Sequence, residues 1–255
     1  MKKTKGIILA GGFGSRLFPL TFGTSKQLLP VYDKPMIYYP LSVLLNAGIK
    51  EILIISTPKD TPRFKDLFGS GHNLGVSISY IIQNEPRGIA ESFILGADFI
   101  NDDNVCLILG DNIFYGENFN NLIKNAINNL NDNFSTLFGV TVKNPNDFGV
   151  IDFDENKKIK KIIEKPSQFV SNVIISGLYF YTNDVISISK NLKLSRRNEY
   201  EITDINNIYI ERKSLKLIKL PKEIFWTDTG TYEALIDASN FVFNIEKETK
   251  KKIAI

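Results

Sequence analysis

Short apolar runs alternate with helical segments through the first half of the sequence, and this alternation constrains the fold more than any other feature. The runs carry continuous Ile, Leu and Val instead of a two-residue period. Such strands are typical of a parallel sheet that helices cover on both faces. The runs predicted as strands are residues 6–10, 51–56, 76–82, 105–109 and 136–142. The segments predicted as helices are residues 41–47, 61–68, 89–100 and 119–130.

The second half of the chain has a different pattern, with shorter apolar pieces across turns. The strands predicted there are 150–153, 158–163, 174–181 and 215–220, and the helices are 203–211 and 231–248. The fold class that follows is α/β, with a Rossmann-like, mixed but mostly parallel sheet, flanking helices and a small antiparallel portion. No repeat or linker separates the halves, so we expect one domain over residues 1–255, with 1–142 and 143–255 as its halves.

Composition and charge exclude several classes of protein. The 31 Lys and Arg residues stand against 28 Asp and Glu residues with locally alternating signs, which argues against nucleic-acid binding. No apolar run reaches the roughly 18 to 20 residues of a membrane span, so we expect no membrane partner. The single cysteine, Cys106, excludes an internal disulfide and indicates a reducing compartment, the cytoplasm. The basic run 247–252 is predicted to be a solvated helix end.

A glycine-rich turn follows the first predicted strand, with the sequence Gly-Gly-Phe-Gly-Ser-Arg at residues 11–16. Its backbone N–H groups can approach phosphate oxygens without hindrance from Cβ atoms, although a plain tight turn remains the alternative. A Rossmann fingerprint would need glycine where Leu17 stands, and a P-loop would need Gly-Lys-Ser/Thr. Arg16 beside the turn and Lys26 after it suit a triphosphate that loses pyrophosphate.

Two aspartates are candidate ligands of a metal ion. Asp111 follows the strand 105–109 at the edge where parallel sheets bind ligands, although a helix or turn cap is the alternative. Asp228 stands far away in sequence between Trp226 and Gly230. Because one Cys and one His cannot form a zinc site from sulfur and nitrogen ligands, any metal must be held by oxygen. The two carboxylates suit such a metal.

The motifs together resemble a known family. Residues 5–30, with GIILAGGFGSRLFPLT and SKQLLP, resemble the sugar nucleotidyltransferase signature, and residues 31–56 resemble the glucose-1-phosphate thymidylyltransferases in particular. The resemblance continues through LGDNIFYG, FGVIDFD, IIEKP, GLYFY, EITDINNIYIER and WTDTGTYEAL and covers nearly the whole chain. It implies the nucleotidyltransferase fold, which is glycosyltransferase-A-like, with a sugar-binding second half. We expect the C-terminal helices of longer relatives to be absent, since the sequence stops at residue 255.

The resemblance implies attack of glucose 1-phosphate on the α-phosphorus of dTTP, giving dTDP-glucose and pyrophosphate, the first step of dTDP-deoxysugar (rhamnose-type) biosynthesis. It also implies Mg²⁺ as cofactor and a homodimer or homotetramer. The same reaction with UTP or another hexose 1-phosphate remains open. Outside this class, the rivals are a nicotinamide oxidoreductase, which the missing third glycine disfavours, and a nucleotide-sugar-sensing regulator.

The resemblance assigns roles to individual residues. The catalytic set is Arg16, Lys26, Asp111 and Asp228, of which the two aspartates hold the metal. The nucleotide-binding set is Gly11, Gly14, Ser15, Arg16, Lys26, Gln27, Gln83, Gly88 and Asn112. The sugar-phosphate-binding set is Gly149, Glu164, Lys165, Ile175, Tyr179 and Arg197. From the residues alone, three alternatives stay open: Gln83 as an ordinary strand-end residue, Glu164 in a surface ion pair with Lys161 or Lys165, and Arg197 in a solvated basic pair.

Overall fold

The computed structural model describes residues 2–12 and 14–254, so Phe13 of the glycine turn and the two chain ends lie outside the described residues. The fold is mixed α/β with a central, mostly parallel sheet flanked by helices, which confirms the predicted fold class. The chain divides into two compact units. The glycine-turn unit comprises residues 5–86, 108–120 and 223–255, and the antiparallel unit comprises residues 1–4, 87–107 and 121–222. The expectation of a single domain stays a prediction.

The glycine-turn unit is built on parallel strands. Strand β1 (Thr4–Ala10) pairs with β4 (Glu51–Ser56), which pairs with β5 (Ser77–Ile82). The middle of β4 is buried without interruption, because helices cover the sheet on both faces. The covering helices of this unit include α1 (Tyr38–Asn46) and α2 (Thr61–Phe68).

Two short strand pairs complete the glycine-turn unit. Strands β2 (Pro30–Val31) and β3 (Lys34–Pro35) form a small antiparallel hairpin. Strand β7 (Ile113–Tyr115), which follows β6 (Asn104–Leu109), pairs antiparallel with the distant β13 (Phe225–Thr227). The long helix α8 (Tyr232–Thr249) packs Ala238 and Val242 into one buried cluster with Leu17, Met36 and Ile113.

The antiparallel unit contains the hairpin β9 (Gly149–Phe153) and β10 (Ile159–Glu164) and the fully buried strand β11 (Val173–Tyr181). Strand β11 pairs antiparallel with β8 (Ser135–Thr141), and β8 pairs in parallel with β12 (Leu215–Lys219). The helices named here are α3 (Glu91–Leu95), α4 (Ala97–Ile100), α6 (Val185–Lys190) and α7 (Ile202–Glu211). Helix α5 (Phe119–Asn131) begins in the glycine-turn unit and continues in the antiparallel unit.

The predicted elements are confirmed with end shifts of a few residues, and the strand at 51–56 and the helix at 61–68 are reproduced without change. The single helix predicted over 89–100 is wrong, because Gly96 separates α3 from α4. The strands β2, β3, β7 and β13 and helix α6 were not predicted. Within residues 2–12 and 14–254, no helix combines the length and apolar character needed to cross a membrane.

The solvated helix end predicted for residues 247–252 is confirmed, since these residues are all exposed and α8 ends at Thr249. Lys252 has a further role. Lys252 binds the carboxylates of Asp33 and Glu246, and Glu246 lies on α8 with a side chain only 6% exposed. Glu246 also accepts a hydrogen bond from the Ile253 backbone at 3.0 Å and contacts Lys34 at 3.3 Å. These contacts fasten residues after α8 to the β2–β3 hairpin.

We expect Glu246→Gln to reduce the free energy of unfolding by about 1 to 3 kcal/mol at pH 7, because the Lys34 ammonium, 13% exposed, and the buried Ile253 N–H lose a charged acceptor. Burial raises the pKa of Glu246, but hydrogen bonds from Lys252 and Ile253 outweigh it and lower the pKa below the ordinary 4.5. A carboxyl with a lowered pKa stabilises the folded state above its unfolded pKa and loses that effect as pH falls. The difference between wild type and variant in urea unfolding should therefore shrink from pH 7 to pH 4. Glu248→Gln, on an exposed position of α8, is the control, and an equal change there would contradict the assignment.

Candidate active site

The glycine turn lies where β1 ends, next to the end of β5. A Cβ atom on Gly11 would stand 2.3 Å from Oε1 of Gln83, so the turn can approach this amide only because residue 11 is glycine. Gln83 is buried, and its backbone N–H donates to Ser56 at 2.8 Å. Gly14 adopts a left-handed φ of 61° and precedes a short 3-10 helix, Ser15–Leu17. The structure thus brings Gly11 of the predicted turn together with Gln83 at the carboxyl edge of the parallel strands.

A cavity of about 270 Å³ opens beside this turn. Its walls include Gly11, Gly12, Ser25 and Gln83. The neighbouring Gln27 is buried, and the hydroxyl of Ser25 donates to its Oε1 at 2.6 Å. The carboxyl edge of parallel strands is the usual ligand site of an open α/β sheet, and buried amides beside it can match the donors and acceptors of a nucleobase.

Lys26 links the two candidate aspartates. Its side chain is only 7% exposed, and its ammonium donates to Oδ2 of Asp111 at 2.6 Å. The same ammonium donates to the backbone carbonyl of Asp228 at 3.0 Å. Since a buried ammonium needs a counter-charge, the Asp111 carboxylate stabilises Lys26 in this position. Residues separated by 202 positions in the chain therefore meet at one charged atom.

Strand pairing explains why the aspartates meet. Asp111 comes shortly before β7, Asp228 comes directly after β13, and the antiparallel register places Thr227 opposite Ile113. The residues flanking the pair at this end therefore lie side by side. Thr229 reinforces the arrangement, because its hydroxyl donates to the Asp111 carbonyl at 2.8 Å.

Arg16 is the exposed cation of the group. Its side chain is 59% exposed, and Nη2 lies 3.9 Å from Oδ2 of Asp228. Oδ1 of Asp228 accepts a hydrogen bond from the Gly230 backbone at 3.2 Å. The loose contact leaves guanidinium donors of Arg16 accessible to an anionic ligand.

The sugar-phosphate candidates lie in the antiparallel unit. The β9–β10 register pairs Gly149 with Glu164. Arg197 contacts the carboxylates of Glu164 at 3.3 Å, Glu199 at 2.9 Å and Glu201 at 2.7 Å. The solvated basic pair that was the alternative for Arg197 is therefore wrong. Glu164 does form an ion pair, but its partner is Arg197 and not Lys161 or Lys165.

Two of the carboxylates around Arg197 have pKa shifts in opposite directions. Burial raises the pKa of Glu164, with Glu201 and Glu199 adding to the effect and Arg197 and Lys165 opposing it. For Glu201, burial acts in the same direction, but hydrogen bonds from Arg197 and Ser195 outweigh it and lower the pKa. Three carboxylates around one guanidinium leave the cluster net negative. Such a cluster is better suited to accepting hydroxyl hydrogen bonds than to holding a phosphate.

Among the sugar-phosphate candidates, Lys165 is an exposed cation. It directly follows β10 and has a left-handed φ of 41° that its N–H bond to the Phe148 carbonyl at 3.0 Å helps to hold. A non-glycine residue in this region is strained, and such strain is often found at functional sites.

Gly88 lies against the chain segment that carries Glu199 and Glu201. It has a φ of 94°, and a Cβ there would stand 2.5 Å from the Tyr200 carbonyl oxygen. Glycine is therefore required at this position.

Ile175 and Tyr179 are buried residues of β11, on either side of an irregularity in its pairing with β8. The ring of Tyr179 stacks on Tyr181 with centroids 6.0 Å apart. Both residues therefore serve the packing of the unit, whatever surface they also offer to a ligand.

The donor set of the glycine-turn unit fits magnesium. Among the described residues, no group of three or more His, Cys, Asp or Glu side chains is placed to hold a metal. Asp111 and Asp228 are nevertheless brought together at Lys26, which binds the carboxylate of Asp111 and the backbone carbonyl of Asp228. Mg²⁺ in nucleotide sites takes one or two protein carboxylates and completes its shell with water and substrate phosphates.

Comparison with known families identifies the class of protein. The family model described as Nucleotidyl transferase matches residues 5–245. Among curated relatives, the chain is 51% identical over 250 residues to a glucose-1-phosphate thymidylyltransferase of Neisseria meningitidis serogroup A, covering 98% of this chain and 86% of that protein. It is 47% identical to the protein of that name from Mycobacterium tuberculosis, with the same coverage. The chain therefore belongs to the glucose-1-phosphate thymidylyltransferase family of nucleotidyl transferases.

Solved structures agree with this assignment. A Bacillus anthracis protein assigned as a glucose-1-phosphate thymidylyltransferase, solved in complex with a sucrose, has a TM-score of 0.86 and 39% identity and covers 94% of this chain and 95% of that one. A UDP-glucose pyrophosphorylase complexed with UDP-glucose has a TM-score of 0.84 at 25% identity, covering 96% and 100%.

Several residues of the site were not singled out from the sequence. Glu199 and Glu201 contact Arg197, Thr229 fixes the Asp111 backbone, and Trp226 donates to Asn112. The two glutamates could have been noticed in the sequence, because they follow Arg197 at alternate positions. No periodic signal marks the others, because their roles depend on the pairing of β7 with β13.

Proposed function

We propose that this protein transfers a thymidylyl group from dTTP to glucose 1-phosphate, giving dTDP-glucose and pyrophosphate for dTDP-deoxysugar biosynthesis. The observation that carries the proposal is the group beside the glycine turn, where Lys26 joins Asp111 to Asp228 and Arg16 lies next to them. Cations and carboxylates beside a backbone turn suit a triphosphate with a divalent ion. Similarity to named glucose-1-phosphate thymidylyltransferases supports the choice of substrates.

In the proposed reaction a phosphate oxygen of glucose 1-phosphate attacks the α-phosphorus of dTTP. The bond from that phosphorus to the oxygen leading to the β-phosphorus breaks, and pyrophosphate leaves. The attacking oxygen is already anionic, so the protein needs no covalent nucleophile and mainly aligns anions and compensates charge. Lys26 would hold the triphosphate, Arg16 would compensate charge on the leaving pyrophosphate, and Lys165 would hold the incoming phosphate.

We also propose Mg²⁺ as the cofactor. Asp111 and Asp228 would hold it, because the Lys26 ammonium, bound to the Asp111 carboxylate and to the Asp228 backbone carbonyl, brings the two residues side by side. When bound, the ion would neutralise charge on the phosphate oxygens.

Recognition of the base is assigned to Gln83 and Gln27. Both are buried amides; Gln83 lines the cavity at the glycine turn, and Gln27 is hydrogen-bonded to Ser25, which also lines it. The edge of thymine that an amide can match is shared with uracil, and only the 5-methyl group differs. One methyl group in an apolar pocket is worth about 1 to 3 kcal/mol, so discrimination should lie between about 10-fold and 200-fold.

Pyrophosphate release tests the proposal. The purified protein is incubated with glucose 1-phosphate and Mg²⁺, and each of dTTP, UTP, ATP, CTP and GTP is supplied in turn. We expect dTTP to be used best, UTP less well, and the purines to be rejected on size. Equal use of ATP and dTTP would contradict the base assignment, and binding without release would favour the nucleotide-sugar sensor. Replacing the glucose phosphate with other hexose 1-phosphates tests the second substrate.

Lys165→Ala should mainly raise KM for glucose 1-phosphate, by about tenfold or more, because one charge-assisted contact to phosphate is lost. KM for dTTP should change little. Lys160→Ala is the matched control, since Lys160 is a 63% exposed lysine on β10 whose ion pair with Asp152 is long, at 3.8 Å. An increase in KM for dTTP alone would contradict the assignment.

We propose, finally, a cytoplasmic homodimer or homotetramer. The glycine-turn unit exposes large apolar side chains, among them Phe18 at 60%, Phe22 at 76% and Ile236 at 60%. The rings of Phe18 and Phe22 contact each other with centroids 6.1 Å apart, and contiguous exposed apolar patches are typical of interaction surfaces. Light scattering coupled to size-exclusion chromatography would give the number of subunits, and a monomer at micromolar concentration would contradict the proposal.

A further inference from the structure

A chain of side-chain hydrogen bonds reaches the Asp111 carboxylate from the opposite side to Lys26. The indole Nε1–H of Trp226 donates to Oδ1 of Asn112 at 2.8 Å. Nδ2 of Asn112 donates to Oδ1 of Asp111 at 2.9 Å. Oδ2 of the same carboxylate accepts from Lys26 at 2.6 Å. Both oxygens of Asp111 are therefore held by named donors.

The chemistry of the indole fixes the direction of this chain. An indole N–H can only donate, whereas the two ends of an asparagine amide are a donor and an acceptor of nearly the same shape. With Trp226 beside it, the amide of Asn112 must turn its oxygen toward the indole. Its NH₂ group then faces Asp111. A flipped amide would place its NH₂ group against the indole N–H, and its oxygen against the Asp111 carboxylate, so neither hydrogen bond could form.

Burial makes the alternative orientation costly. Asn112 is only 1% exposed, and an unsatisfied buried polar group costs about 1 to 3 kcal/mol. Trp226 is held in place by the pairing of β13 with β7, where it lies opposite Phe114. The orientation of the amide is therefore built into the strand pair that also brings Asp228 to Asp111.

We propose that Trp226 is a positioning residue of the nucleotidyl transfer site. It acts through Asn112 to orient the Asp111 carboxylate toward the divalent metal ion that this carboxylate would bind. This inference rests on the proposed function, because it takes Asp111 as a metal ligand. Hydrogen-bonded neighbours of metal-binding carboxylates usually contribute 10- to 100-fold to metal affinity or activity. We expect an effect of about that size.

The first experiment measures cation binding without turnover. Mn²⁺ with dTTP, in the absence of sugar phosphate, is titrated into wild type and Trp226→Phe, and free Mn²⁺ is followed by electron paramagnetic resonance. Phenylalanine keeps an aromatic ring and removes the N–H, so affinity should fall about tenfold or more. In turnover, kcat should fall while KM for glucose 1-phosphate stays within about twofold. Phe114→Leu is the packing control on the partner strand, and an equal loss there would overturn the proposal.

The second experiment is independent of turnover. Trp226 is the sole tryptophan of the chain and gives a single indole N–H signal in an NMR spectrum. In wild type this proton should exchange with water far more slowly than an exposed indole, and Asn112→Leu should remove the protection. Exchange at the rate of an exposed indole in wild type would overturn the proposal even if Trp226→Phe does not fold. Absence of pyrophosphate release by wild type would instead count against the proposed function, which keeps the two failures distinguishable.

Discussion

Replacing Arg16 with alanine should lower kcat by about 10² to 10³-fold and leave thermal stability unchanged. The rate should fall because the variant lacks a hydrogen-bond donor that stabilises the charge developing on the departing pyrophosphate in the transition state. Stability should not change, because the side chain is 59% exposed and its contact with Asp228 is long, at 3.9 Å. Initial rates of pyrophosphate release, compared with thermal unfolding of the same preparations, measure both quantities.

The control for this prediction is Arg212→Ala. Arg212 is similarly exposed, at 53%, and pairs with Asp184 at 2.9 Å, outside every proposed substrate contact. It should retain wild-type kcat. If Arg16→Ala kept kcat within about threefold of wild type, Arg16 would have no part in stabilising the leaving group.

Local structure leaves room for this role. A Cβ atom on Gly230 would stand 2.8 Å from Nη2 of Arg16, so the turn after β13 admits the guanidinium because residue 230 is glycine. The turn therefore offers space for the guanidinium beside Asp228, with which it makes only a long contact.

Much of this site could be predicted because its residues follow strong apolar strands. The glycine turn follows β1, Gln83 follows β5, and Asp111 follows β6 through Gly110. Strand burial fixes the position of a strand along the chain, and the carboxyl edge of parallel strands fixes the side on which ligands bind. The placement of these three features together was therefore accessible from the sequence.

The short strands β7 and β13 were not accessible in the same way. Each has three residues, too few to show a period, and their pairing joins positions more than a hundred residues apart. The contacts of Lys252 with Asp33 span 219 positions and have no local signal either. Gly96 was a visible warning of the break between α3 and α4, but the apolar pattern continued across it.

The role of the metal aspartates is best tested at Asp228. Asp228→Asn should lower kcat at least about a hundredfold, since stabilisation of transferring phosphate by a metal is worth several kcal/mol. The contact of Asp228 with Lys26 uses its backbone carbonyl, which asparagine retains. The variant should therefore fold as wild type and require a higher Mg²⁺ concentration for half-maximal rate. Asp152→Asn is the control, because Asp152 is 25% exposed against 24% for Asp228 and pairs only loosely with Lys160.

Asp111→Asn should behave differently, and the difference separates metal binding from structure. It should lose at least as much kcat, but it also removes the counter-charge of Lys26, whose side chain is only 7% exposed. Leaving a buried ammonium without its carboxylate costs about 3 kcal/mol or more, so thermal unfolding should shift downward in this variant alone. Equal stability of the two variants would show that Lys26 does not depend on Asp111. Wild-type turnover of either variant at saturating Mg²⁺ would remove that aspartate from the metal site.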